Sequence, residues 1–400
     1  MQKTIMLLGG IRYLLPVIDV AHKEGYHVIT ADYLPDNIAH KYSDEYVNVS
    51  ITDREAVLKA AIEKRIDGIM SFGVDPGVVT AAYVQNQLGL PSFGPLESVE
   101  ILQDKGRFRE FLRKNGFNVP RHKSFSSPDA AMKESPLFTY PVIVKPTDSA
   151  GSKGVSKVDS PNNLFIAVSK AFSHSLSKRI IIEHFIEKKR HSSDSDCFLD
   201  NGRLAFVSFS SQHFDEKASN PYTPSAYSWP STFSKEEEQY LASDLQRLLS
   251  LLNMKTGLYN IETRIGLDGK PYIMEASPRG GGNRLSEMIR YGTGVDLIKA
   301  CVSYCVGDPF DSVCQSSFSG HWGEIILHSN TAGVFMGVRF SDTLIPYIVD
   351  NDIWVEPGHI INSFNGANDT IGTLVLRFPN QELLETVISN PSAYINIITE

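Results

Sequence analysis

The chain has no surplus of positive charge, almost no cysteine and no long apolar run, and each shortage removes a class of function. Its 38 Lys and Arg stand against 46 Asp and Glu, a formal net charge of -8. A protein that coats nucleic acid needs a basic excess to neutralise phosphates, and that excess is missing. Four cysteines, Cys197, Cys301, Cys305 and Cys314, form no CxxC pair and have no histidine cluster beside them. That argues against a disulfide framework or a zinc site and fits a reducing, cytoplasmic compartment. Cys301 and Cys305 read as packed neighbours on one helix. No segment approaches the roughly 20 apolar residues that span a bilayer. The apolar start, Met1–Gly10, lacks the h-region and cleavage site of a signal peptide and reads as a first strand. There is no internal repeat and no low-complexity tract. Two nucleotide fingerprints are also missing. Gly9-Gly10 is followed by Ile11, Arg12 and Tyr13 rather than by GxGxxG, and no GxxxxGK[ST] occurs. No Ser-His-Asp or Cys-His arrangement suggests covalent catalysis.

What is present is an α/β chain of 400 residues, long enough for two or three domains. Up to about residue 100, short apolar runs (Thr4–Leu8, His27–Ala31, Gly68–Ser71) alternate with helical periods (Leu14–Glu24, Arg54–Lys64, Val78–Leu88). That alternation predicts a doubly wound parallel sheet over residues 1–100. Ser98–Asn115 reads as one helix with Asp104-Lys105 in its middle. Leu90-Pro91 and Gly94-Pro95 mark a connection into the next unit. Ser210–Ser234, rich in Ser, Pro, Tyr and His, is long for a connection and reads as a lid or substrate loop. Residues 311–400 turn β-rich, with runs at Glu324–Leu327, Val334–Phe340 and Thr373–Phe378.

The most informative stretch is Gly257–Arg279, GLYNIETRIGLDGKPYIMEASPR. Asp268-Gly269 between two apolar-alternating runs predicts a two-residue type I′ hairpin. Cross-strand partners then have numbers summing to 537, so Leu267 faces Lys270, Glu262 faces Glu275, and Asn260 faces Ser277. Period-two alternation puts all four of the last-named side chains on one face. Opposed Cβ atoms lie roughly 4.5–5.5 Å apart. Two carboxylates at that spacing repel, and a hard divalent cation completed by phosphates and water suits them.

Val142–Val155, VIVKPTDSAGSKGV, presents Lys145 at the end of a buried strand and then a small-residue loop with Gly151, Ser152 and Gly154. Such a loop lets backbone N–H groups approach phosphate oxygens. Ile180–Ile186, IIIEHFI, offers an acid directly after a buried strand. Each of these pieces is weak alone.

Together they resemble the ATP-grasp superfamily of carboxylate–amine ligases, and most closely the group with biotin carboxylase, phosphoribosylglycinamide synthetase and the amino-acid ligases. The resemblance rests on an ordered set: DK at Asp104-Lys105, KPxxxxGSxGV at Lys145–Val155, EHFI at Glu183–Ile186, IE at Ile261-Glu262 and ExxPRGGG at Glu275–Gly282. It covers about residues 1–310 and implies an ATP-grasp domain over 101–310, two α+β subdomains clasping ATP, with a small lid subdomain at about 120–187. It further implies that Lys105 and Lys145 contact the phosphates and that Gly151, Ser152 and Gly154 cover them. Glu183 would meet the adenine amino edge, with His184, Phe185, Ile186 and Glu187 nearby. Glu262, Glu275 and Ser277 would hold Mg2+, or Mn2+, and Arg279 would stabilise the transferring phosphoryl group. Ser277 stands where the family usually has Asn. Glu187 or Asp194 is left to bind the ribose. Gly9, Gly10, Asp32, Asp75, His213, Asn283 and Arg284 are candidates to face the substrates, and Asn283 and Arg284 could hold a second carboxylate. The implied partners are a small carboxylate and an amine, in an amino-acid or peptide-type reaction. A purine-pathway synthetase is the runner-up, and a non-catalytic ATP-binding scaffold is the reading from another class. Pairing of two chains through the first domain would also fit the family.

Overall fold

The computed structural model describes residues 2–149 and 151–400. The first unit alternates as the sequence predicts: β1 (Thr4–Leu8), α1 (Leu15–Lys23), β2 (His27–Asp32), β3 (Glu45–Asn48), α2 (Arg54–Lys64), β4 (Gly68–Ser71) and α3 (Val78–Leu88). The strands are parallel in the order β3-β2-β1-β4. Apolar side chains on both faces of β1 feed two separate clusters, Ile5 and Leu7 in one, Met6 and Leu8 in the other, as a doubly covered sheet requires. Asp53 starts α2 by accepting from the Ala56 N–H at 3.0 Å.

The stretch read as one helix is two. α4 (Leu96–Gln103) stops at Asp104, whose backbone is extended, and α5 (Lys105–Lys114) begins beside it. The Asp104 side chain caps the new helix through the Arg107 N–H at 2.8 Å. Lys105 is therefore the first residue of a helix, not a mid-helix surface charge.

A four-stranded antiparallel sheet follows, built from β5 (His122–Phe125), β6 (Val142–Pro146), β7 (Ser156–Val158) and β8 (Ile180–His184), in the order β5-β8-β6-β7. Helices α6 (Pro128–Lys133) and α7 (Leu164–His174) cover its outer face. A second antiparallel sheet, β10-β9-β13-β14, combines β9 (Ser193–Asp200), β10 (Arg203–Val207), β13 (Gly257–Ile265) and β14 (Pro271–Ser277). Ser210–Ser234 is not simply a loop. It holds β11 (Ser211–Phe214) and β12 (Pro224–Trp229), and β12 pairs with β15 (His321–His328) of the C-terminal region. The charged run from Lys235 opens α8 (Lys235–Leu251) with a Ser234/Glu237 capping box. Helix α9 (Leu285–Thr293) packs on β9 and β15, and α10 (Leu297–Cys305) packs on β13, on α1 and on β4 of the parallel sheet. Cys301 and Cys305 are buried on α10, as the sequence reading expects.

The remaining strands are β16 (Gly333–Phe340), β17 (Ile348–Ile353), β18 (Ile360–Ile361), β19 (Thr370–Phe378) and β20 (Ile395–Thr399). They build the sheets β11-β12-β15-β19-β17 and β18-β16-β20, with α11 (Gln381–Ser389) packed on the former. No helix among the described residues is long and apolar enough to cross a membrane.

The first unit meets the rest at the loop Arg279–Gly282. Gly73 N–H donates to the Gly280 carbonyl at 3.0 Å, and a Cβ on Gly280 would penetrate the Phe72 ring. Glycine is required there by close approach. Gly280→Ala should destabilise the fold by about 1–3 kcal/mol through overpacking. A lowered urea midpoint with an unchanged slope checks this, and an unchanged midpoint contradicts the contact.

Candidate active site

The hairpin that organises the site differs in detail from the sequence expectation and agrees where it matters. The turn has three residues, Leu267–Gly269, closed by Gly266 N–H donating to the Lys270 carbonyl at 3.0 Å, with Gly269 at φ 74°. Leu267 therefore does not face Lys270, and pairing near the turn is shifted by one: Ile265 faces Pro271 and Thr263 faces Ile273. A one-residue bulge at Met274 cancels the shift. Beyond it Glu262 faces Glu275 and Asn260 faces Ser277.

The neighbouring strand extends this face. β9 pairs with β13 so that Asp194 stands beside Glu262 and Asp196 beside Asn260. Asp194, Glu262 and Glu275 thus form one row across three strands. Glu262 and Glu275 are each about one-third exposed. Neither accepts a hydrogen bond among the described residues. Their nearest cations are at the limit of ion pairing, Lys105 at 3.5 Å from Glu275 and Arg264 at 4.0 Å from Glu262. Burial raises the Glu262 pKa above its ordinary value. Arg264 opposes this, and the Glu275 charge adds to it. The pair has an unmet demand for positive charge, which a divalent cation fits. Among the described residues no cluster of three or more His, Cys, Asp or Glu could hold a metal alone, so a cation at this pair would need non-protein oxygens to complete its shell. Ser277, expected beside the metal, is held by other partners. Its hydroxyl donates to Asp75 Oδ1 at 3.1 Å and accepts from Gln103 Nε2 at 2.7 Å.

Asp194 accepts from Asn260 at 2.8 Å and from the Tyr227 hydroxyl at 3.0 Å. Burial, then the Glu262 charge, pushes it up to about 7. With both oxygens engaged it is a poor ribose ligand. Asp196 accepts from the Gly281 N–H at 2.9 Å and from Ser286, fixing the loop before α9.

Lys145, at the end of β6, is ion-paired to Glu183 of β8. The other Glu183 oxygen accepts from Arg109 Nε at 2.9 Å, and Glu183 is 2% exposed. The expectation that Glu183 meets the adenine edge is therefore corrected. Both its oxygens are committed to cations, and it positions Lys145. Arg109 also donates to the Met274 carbonyl at 2.8 Å, the group at the bulge. Lys105 donates to the Ser149 carbonyl at 3.0 Å, linking α5 to the small-residue loop. In that loop Ser152 donates to the Tyr222 carbonyl at 3.0 Å, while Gly151 has open space beside it and Gly154 packs on His174 and Pro146.

After β8 the chain passes along the hairpin. Phe185 N–H donates to the Pro141 carbonyl, the Ile186 carbonyl accepts from Arg264 at 2.8 Å, and the Glu187 carbonyl accepts from Leu267 N–H at 2.9 Å. His184 N–H donates to the Arg121 carbonyl. The N–H groups of Ile186 and Glu187 have no protein partner among the described residues.

Arg279 is 8% exposed and forms a bidentate pair with Asp75, both contacts at 2.8 Å. Burial lowers the Arg279 pKa and Asp75 more than offsets it, holding the guanidinium charged. Asp75, expected to face a substrate, is instead the anchor of Arg279. Asn283 accepts from the Tyr13 hydroxyl at 2.7 Å, and Arg284 pairs with Glu287 at 2.9 Å and Asp350 at 2.6 Å. Gly9 packs on Val74 at the end of β1. Gly10, just after β1, lies against the segment that follows β2, where Asn37 and His40 fill the space beside it, and Asp32, the last residue of β2, accepts from Leu34 N–H at 2.9 Å. His213 pairs with Ala226, one position from Tyr227, so it lies on the opposite face of its sheet from Tyr227. Its ring packs on His191 at 4.2 Å, and burial pushes its pKa down to about 3.

Arg109, Arg264 and Asp196 are absent from the residues singled out in the sequence. Arg109 shares a helical face with Phe108 and Leu112, an arginine inside an apolar stripe, and Arg264 follows Glu262 by two on one face. Both signals were readable.

Residues 138–287 match the family model described as an ATP-grasp domain. The chain carries an ATP-grasp domain. Its sequence is 25% identical over 299 residues to the carbamoyl phosphate synthase large chain of Thermotoga neapolitana, a match that covers 74% of this chain and 27% of that protein. The chain thus spans about a quarter of the length of that curated relative. The fold is similar to L-amino acid ligase from Bacillus licheniformis, with TM-score 0.83 at 19% identity over 100% of this chain and 99% of that one. It is also similar to phosphoribosylglycinamide synthetase from Anaerococcus prevotii, with TM-score 0.78 at 19% identity and full coverage of both chains. The ATP-grasp match includes Lys145, Glu183, Glu262, Glu275 and Arg279. Lys105 and Asp75 reach the same site from outside it.

The pair of Glu183 with Arg109 and Lys145 makes a pH-dependent contribution. Burial pushes the Glu183 carboxyl up, but Arg109 and Lys145 outweigh this and hold it at about 2. Its folded pKa lies below the unfolded value of about 4.3. The stabilisation is therefore complete above that value and is lost as pH falls through about 2. Glu183→Gln should cost about 3–5 kcal/mol at pH 7 by leaving buried cations unpaired. Urea unfolding of both chains should show the gap narrowing between pH 5 and pH 2; a constant gap contradicts the pairing.

Proposed function

We propose that the chain is an ATP-dependent carboxylate–amine ligase. The observation that carries this reading is the opposition of Glu262 and Glu275, which accept no hydrogen bond among the described residues and are only loosely paired to Lys105 and Arg264, on a face flanked by Lys105, Lys145 and Arg279. Lys105 and Lys145 bind the nucleotide phosphates, and the loop with Gly151, Ser152 and Gly154 covers them. Adenine lies along His184–Glu187, where the free N–H groups of Ile186 and Glu187 offer donors. Glu187 takes the ribose, since Asp194 is engaged. Glu262 and Glu275 would hold Mg2+, or Mn2+, which would supply charge neutralisation to the nucleotide phosphates.

The substrate carboxylate oxygen attacks the γ-phosphorus, and the bond to the β-phosphate oxygen breaks to release ADP. The amine nitrogen then attacks the acyl carbon, phosphate leaves, and the amine loses a proton. The lysines and Arg279 counter the charge that grows on the transferring oxygens, and Asp75 keeps Arg279 in place. Glu183 contributes by aiming Lys145. No side-chain nucleophile is needed.

An amino-acid or peptide-type substrate pair is the preferred subclass, supported by the fold likeness over the whole chain. A purine-pathway synthetase is the second reading, supported by an equally complete likeness. ADP release measured against amino acids, small carboxylates and phosphoribosylamine-type amines tests both. Stimulation by an amino-acid pair supports the first, and stimulation only by the ribosylamine supports the second. ATP binding without stimulated release by any pair would make the chain a scaffold and end the ligase reading. Glu275→Gln should abolish turnover, by about 100-fold or more, with an unchanged melting temperature; undiminished turnover removes the metal assignment.

A further inference from the structure

Half of the buried side-chain polar atoms that lack a hydrogen-bond partner among the described residues gather at one place. They are both oxygens of Glu324, Oε1 of Gln212, Oγ1 of Thr373 and Nη1 of Arg284. Four of these atoms belong to one sheet face. Gln212 faces Tyr227, Tyr227 faces Glu324, and Thr373, two residues before the Glu324 neighbour Val375, projects to the same side. Glu324 is 0% exposed. A buried carboxylate with two empty oxygens is costly unless a partner arrives.

The surroundings limit what that partner is. Tyr227 connects Glu324 to the metal row, because its hydroxyl donates to Asp194, which stands beside Glu262. Tyr13 and Asn283 close the other side through their 2.7 Å bond. A cavity of about 290 Å3 lies alongside, with Tyr13, Arg284 and Thr373 in its wall and Glu324 and Gln212 outside it. The empty oxygens of Glu324 and Gln212 require donors, and the empty Arg284 Nη1 requires an acceptor. An ammonium group carries three donors. A zwitterionic amino acid supplies both kinds of group within one small molecule. Burial raises the Glu324 pKa well above its ordinary value, Arg284 opposes this, and the charges of Glu287 and Asp194 add to it. A cation entering beside Glu324 would favour its ionised form.

We propose that Glu324 is the receptor for the ammonium group of an amino-acid substrate, with Gln212 as a second acceptor and Arg284 as the carboxylate-side donor. This rests on the ligase reading above and names the chemistry its substrate pocket selects. Glu324 is a binding residue and touches neither ATP nor the metal pair.

The test compares ADP release by the full chain with amino acids and with the same carboxylates lacking the amine. With the native chain, amine-bearing substrates should be favoured. In Glu324→Gln the KM for them should rise on the order of 100-fold while the KM for ATP stays put, and the preference over amine-free analogues should collapse. Glu324→Asp, which keeps the charge one methylene back, gives a second reading should the glutamine chain not fold: it should raise the same KM by a smaller factor. An unchanged KM in either folded variant, or equal use of amine-free analogues by the native chain, overturns the assignment. Absence of ADP release from the native chain with every substrate would instead overturn the ligase reading itself.

Discussion

The site depends on one buried guanidinium. Arg109 is fully enclosed, and it reaches from α5 to two other elements: the Glu183 carboxylate on β8 and the Met274 carbonyl on β14. The first contact fixes Lys145 through the shared carboxylate. The second holds the bulge that decides which residue faces Glu262. With the three-residue turn alone, Glu262 would face Met274 and the two glutamates would miss each other by one position. The bulge inserts the missing residue, and Arg109 satisfies the carbonyl found there. One side chain thus sets Lys145 and the carboxylate pair in a common frame. A charge buried this deeply is costly unless its partners are in place, which makes the arrangement all-or-none.

Around that frame the cleft is assembled from parts remote in sequence. Asp75, at the end of the parallel sheet, clamps Arg279. Gly280 lets the loop pass against Phe72. Asp194 and Asp196 add a strand to the acidic face from the other side. The C-terminal sheet contributes Tyr227 and Glu324, because β12, from the middle of the chain, pairs with β15. The side with Lys105, Lys145 and Arg279 is thus rich in cations, while the wall with Glu324 is acidic and unsatisfied. That polarity is what a reaction between a phosphorylated carboxylate and an amine would use.

The parallel sheet, the lysine at the end of β6 and the opposed glutamates were legible because period and turn chemistry are local. The hairpin shows how such legibility works and fails. Asp268-Gly269 marks the reversal correctly, but Gly269 in a three-residue loop and a bulge at Met274 are equally compatible with those letters, and the two shifts cancel. The helix break at Asp104 was hidden because Asp104 is both a tolerable interior residue and a good cap. The role of Glu183 could not be read, since it depends on Arg109, 74 positions away, and on Lys145, 38 away. His213 and Tyr227 sit in one polar segment yet on opposite faces of a sheet, which only strand pairing reveals.

Cation binding at the carboxylate pair tests the account most directly. Electron paramagnetic resonance can follow Mn2+ uptake by the full chain in the presence of ADP. The account predicts uptake by the native protein and a loss on the order of 100-fold in the Glu262→Gln, Glu275→Gln double variant. Undiminished uptake by a folded double variant would contradict it.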